Sequence, residues 1–110
     1  MLRIFLIIGQ SMFGHGVHQL LSAQPELSIV GWEPDLAAGV LRVRDLQPDV
    51  VIVENSAGID VLQAFKQVLG ERQRLRVIES NLDSNILYIH FCEKRTVEQV
   101  PDLVDIITLH

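Results

Sequence analysis

Residues 48–54, Pro-Asp-Val-Val-Ile-Val-Glu, form an apolar run that stops on a carboxylate. Val50, Val51, Ile52 and Val53 show no polar alternation, the pattern of a parallel strand covered by helices on both faces. Glu54 then stands at the carboxyl end of that strand, the edge of an open α/β sheet where ligands bind. The reading of function turns on what the other strands bring to the same edge.

Outward from this strand, Leu2–Ile8 is a second β-rich apolar run, interrupted only by Arg3. Gly9-Gln10-Ser11 makes a short connection, after which Phe13, Val17, Leu20 and Leu21 recur at helical spacing to about Gln24. Gly14 and Gly16 in the first turns of this helix soften its start unless they allow close backbone approach. Leu27–Gly31 is shorter and more alternating, as suits a strand near a sheet edge. Pro34 suits the first turn of a second helix, whose stripe is Leu36, Val40 and Val43 and which runs to about Leu46. Ser56 is a candidate N-cap for a third helix, with Val61, Leu62, Phe65, Val68 and Leu69 as its apolar positions and Gly70 at its end. Three successive β–α units with short connections define a doubly wound parallel sheet.

Beyond Leu75 the pattern changes. Leu75–Ser80 and Ile86–Cys92 both read as strands, and only Asn81–Asn85 separates them. A parallel crossover needs a dozen or more residues, so these strands are expected to pair antiparallel through the Asp83-Ser84-Asn85 turn. After Glu93-Lys94-Arg95 a short extended Thr96–Val100 leads to a last helix, Pro101–Leu109, with Leu103, Ile106 and Ile107 facing the core. The alternative starts that helix at Thr96, with Thr96 and Gln99 as a capping box and Pro101 inside it.

Composition bounds the function. A chain of 110 residues, 48% hydrophobic, supports one core, so residues 1–110 are expected to form a single domain. A net charge of −5 without a Lys/Arg cluster argues against direct nucleic-acid binding and against acidic membranes. The single cysteine, Cys92, excludes an internal disulfide. With no secretory leader and no apolar run long enough to span a bilayer, the expectation is a cytoplasmic protein.

The stretch RIFLIIGQSMFGHGVHQLLSAQPELSIVGW, residues 3–32, followed by DLQPDVVIVE, residues 45–54, resembles the receiver domain of bacterial response regulators, which accepts a phosphoryl group on an aspartate. Phe13 and Gly16 match the subgroup joined to DNA-binding domains. The resemblance covers Leu2 to about Leu69 closely and the remainder poorly. It implies a flavodoxin-like fold: a mostly parallel sheet of order 2-1-3-4-5, helices on both faces, the family's fourth helix missing and an antiparallel hairpin at the carboxy-terminal edge.

Carried over residue by residue, the resemblance puts Ile8 and Gly9 where the family has the acidic pair that holds Mg²⁺. Neither offers a side-chain oxygen, and Mg²⁺ demands several. The phosphoacceptor position falls on Glu54, one methylene longer than aspartate and similar in charge to a permanently modified one. The switch hydroxyl falls on Ser80, with Glu79 as the alternative across one gap. The family's lysine corresponds to Lys94 by local spacing, yet an antiparallel strand would carry Lys94 to the opposite edge from Glu54. Phosphoryl transfer relies on positioning and charge stabilisation. A pseudo-receiver without cofactor or enzymatic activity is therefore expected, acting through protein contacts in signalling or transcriptional regulation. The alternative is an atypical regulator that still takes phosphate or senses a small anion.

The remaining chemistry-bearing residues give weaker signals. His15 and His18 lie three apart on the first helix and, with His90 or His110, could hold a transition metal, but an exposed helix face is the plainer reading. Ser11 lacks the partners of a nucleophile, and Gly9-Gln10-Ser11 matches no phosphate-loop fingerprint. Cys92 reads as a small buried hydrophobe. Trp32 is read as a lid on the core, or else as an anchor for a partner. Ile86, Leu87, Ile89 and Phe91 are too apolar to leave bare on an edge strand, so either the last helix or a second copy should cover them; a homodimer through this hairpin, or through the surface the missing helix would have covered, is expected.

Overall fold

The computed structural model describes residues 1–55, 59–70, 73–81, 86–95 and 97–108. Its elements in chain order are β1 (Leu2–Ile7), α1 (Met12–Ser22), β2 (Leu27–Trp32), α2 (Leu36–Leu46), β3 (Val50–Glu54), α3 (Val61–Lys66), β4 (Arg74–Ser80), β5 (Leu87–Glu93) and α4 (Val100–Ile107). They build one five-stranded sheet of order β2-β1-β3-β4-β5. β1, β2, β3 and β4 are mutually parallel, and β5 runs antiparallel along β4. This is the expected flavodoxin-like arrangement. The β4–β5 pairing follows from connection length, because residues 81–86 cannot carry a crossover.

Each face of the sheet has its own core. On one face Phe5, Ile7, Val51, Val53, Leu75 and Val77 pack against Val40 and Val43 of α2 and Val61 and Phe65 of α3. On the other, Ile4, Leu6, Ile8 and Val50 pack beneath Val17 and Leu21 of α1, with Trp32 alongside. Phe5, Leu6, Val51 and Val77 are fully buried, as the unbroken apolar runs require of strands covered on both sides.

The helix starts are set by side-chain caps. Ser11 Oγ accepts from the Gly14 N–H at 3.2 Å, and Asp35 Oδ2 from the Ala38 N–H at 2.9 Å. Asp35, not Pro34, therefore opens α2, and Pro34 lies one residue outside the helix. α3 begins at Asp60, whose carboxylate accepts from the Gln63 N–H at 3.2 Å, and ends at Lys66, short of Gly70. The candidate cap Ser56, the Asp83-Ser84-Asn85 turn, Thr96 and His110 lie outside the described residues. Gly14 brings the α1 backbone against the Gly9 carbonyl so closely that a Cβ there would overlap it. The glycine that weakens the helix start is what lets α1 sit on the end of β1.

The last helix departs from expectation in two respects. It starts at Val100, close to the later of the two candidate starts, and its box is Gln99 with Asp102: Asp102 Oδ2 accepts the Gln99 N–H at 3.1 Å. The residues before it are not a strand among those described. More consequentially, Leu103 and Ile107, expected to face the core, are 46% and 70% exposed; Ile106, the third expected inward residue, is half-buried, and no described α4 residue is fully buried. Among the described residues nothing buries this apolar stripe.

Candidate functional site

The carboxyl edge of the sheet assembles around Glu54. Parallel pairing sets Glu54 directly beside Ser80, so Ser80 rather than Glu79 neighbours it. The next residue in the chain fastens the two strand ends together: the Asn55 N–H donates to the Ser80 carbonyl at 2.8 Å. From β1, Ile8 is turned into the core at 1% exposure, and the Gly9 N–H donates to Glu54 Oε2 at 3.3 Å. Ile8 and Gly9 thus meet Glu54 through an apolar side chain and a backbone donor. A divalent cation wants oxygen ligands in that place.

Glu79 belongs to a second set of contacts. It pairs with Val53 in register, one position before Glu54, so its side chain emerges on the opposite face of the sheet. There Glu79 Oε1 accepts from Asn55 Nδ2 at 2.6 Å, and Glu79 Oε2 lies 3.3 Å from His90 Nε2. Asn55 also reaches forward, donating to the Ile59 carbonyl at 2.7 Å and accepting the Ile59 N–H at 3.3 Å. Asn55 therefore ties β3, β4 and the approach to α3 together. The two carboxylates point away from each other across the sheet, and among the described residues no three His, Cys, Asp or Glu side chains converge as a metal site. The donors at this edge do not fit the Mg²⁺ site of a receiver.

Lys94 follows Glu93, whose register partner is Arg74 at the amino end of β4. It therefore lies at the far end of the strands from Glu54 and Ser80. His15 and His18 both turn toward Trp32: their rings lie 5.2 Å and 5.0 Å from the indole, edge-on and stacked respectively. Trp32 Nε1 donates to the Ile8 carbonyl at 2.8 Å, which closes the core beneath α1 and fits the lid reading of this residue. Ser11 is a helix cap. Cys92 is half-buried against the α2–α3 core, and burial raises its thiol pKa, partly offset by the Lys66 charge. Glu93 is the contrasting case: hydrogen bonds from Arg95 at 3.0 Å and Arg74 at 3.1 Å hold its carboxyl below the ordinary range.

Sequence reasoning passed over Asn55, whose bridging role depends on where β4 ends. An asparagine directly after a strand is a turn signal in its own right, and that was the available clue.

No family model matches the chain. Two curated proteins do match in part. The chain is 31% identical over 91 residues to the transcriptional regulatory protein LiaR of Bacillus subtilis (strain 168), a match covering 80% of this chain and 43% of that protein. It is 39% identical over 67 residues to a protein-glutamate methylesterase/protein-glutamine glutaminase 3 of Anaeromyxobacter dehalogenans (strain 2CP-C), covering 60% of this chain and 20% of that protein. The chain spans less than half the length of either relative. Both carry receiver domains. A flavodoxin-like α/β domain with strand order 2-1-3-4-5 is the class that the fold defines. With these matches, the chain belongs to the receiver-domain family of response regulators.

Among the described residues no helix is long and apolar enough to cross a membrane.

Proposed function

We propose that this chain is a pseudo-receiver: a domain that keeps the receiver scaffold, has lost the phosphorylation chemistry and acts in signal transduction through protein contacts. The observation that supports this most directly is the Gly9 N–H on Glu54 Oε2 with Ile8 buried beside it. At this edge a backbone donor and a hydrocarbon take the places of two metal-binding carboxylates, and the acceptor is a glutamate. Ser80 remains beside Glu54 as the switch-equivalent, while Lys94 stands at the wrong end of the strands to stabilise charge there. On this reading residues 1–110 work as one cytoplasmic, non-enzymatic domain without a cofactor. Its partner is a protein, with neither nucleic acid nor membrane bound directly, and regulation of transcription is the setting that the relative LiaR suggests. A second copy of the chain is part of the reading, because the β5 edge carries Leu87, Tyr88, Ile89 and Phe91 exposed.

The test is incubation with acetyl phosphate, or with beryllofluoride, in the presence of Mg²⁺, followed by intact mass and amide NMR shifts. Unchanged mass and unchanged shifts at Gly9, Glu54 and Ser80 are expected. A labile adduct at Glu54, or shifts confined to this edge, would replace the proposal with the alternative, an atypical regulator that takes phosphate or a small anion.

A further inference from the structure

We draw no further inference here: the strongest candidate, the exposed apolar patch along β5 and α4 with the cleft of about 720 Å³ between Leu2, Val50, Arg76 and Phe91 at the amino end of the sheet, carries none, because Arg74 and Arg76 share that cleft with Asp49 and Glu93 and nothing in the structure shows what covers it.

Discussion

Gly9 gives its backbone N–H to Glu54 Oε2, so the first and third strands meet at the carboxyl edge through one donor and one carboxylate. The Gly9 Cα has room for a side chain, since an added Cβ would meet nothing nearer than Glu54 Oε2 at 4.0 Å. Gly9→Asp would therefore set a second carboxylate beside the first. Like charges about 4 Å apart repel by about 4 kcal/mol at the effective dielectric of a protein surface, before screening by salt. The variant is expected to unfold at lower temperature than the unchanged chain and to regain the loss with millimolar Mg²⁺. The unchanged chain should show no Mg²⁺-dependent rise in its unfolding midpoint; such a rise would mean that this edge binds the cation after all.

Two glycines of α1 provide an internal comparison. A Cβ at Gly14 would overlap the Gly9 carbonyl, which is backbone and cannot swing aside, whereas a Cβ at Gly16 meets nothing within 4 Å. Gly14→Ala is expected to destabilise by about 2–3 kcal/mol through forced separation of α1 from β1. Gly16→Ala is expected to stabilise by about 0.5–1 kcal/mol through helix propensity. Urea denaturation of both variants checks the contrast, and equal effects would contradict the close approach.

The acid limb of the stability curve should carry a contribution from Glu93. Its carboxyl is held below the ordinary range by Arg95 and Arg74, so the folded state binds its proton less readily than the unfolded chain. That stabilisation is present above the unfolded carboxylate pKa and is lost as pH falls through the lower folded value. Glu93→Gln is expected to flatten this part of the curve and to leave the alkaline side unchanged. Solvent around this exposed group screens the charges and keeps the effect small. Comparison of denaturation midpoints across the acid range is the measurement.

The strands were legible because β1 and β3 are unbroken apolar runs, and a sheet covered on both sides leaves no other use for such runs. The antiparallel β5 followed from connection length alone. The last helix was harder, because an apolar stripe says that Leu103 and Ile107 need cover and says nothing about which chain supplies it. Cap residues were partly legible: the cap of α3 is Asp60, directly before the helix, where the sequence reading named Ser56. At the site, the mismatch of Ile8 and Gly9 with a cation was plain from side-chain chemistry. The division between Glu54 and Glu79 was not, since it depends on strand register, and a shift of one residue would exchange their faces.

That register also gives Asn55 its weight. Its side chain donates to Glu79 at 2.6 Å and to the Ile59 carbonyl at 2.7 Å, so one amide joins β4 to the start of α3. Asn55→Ala removes both donors and is expected to cost about 1–3 kcal/mol, because a half-buried carboxylate loses its shortest partner. Asn55→Asp keeps the shape and replaces the donor with an acceptor, placing two carboxylates where a hydrogen bond had been. At about pH 7 it is expected to be the more damaging substitution, although it is the closer isostere. Lowering the pH to about 4.5 should return part of its stability, since a proton shared between the two oxygens restores a donor. Urea unfolding of both variants at the two pH values decides the matter. An aspartate variant as stable as the parent at neutral pH would mean that Asn55 does not hold Glu79 by donation.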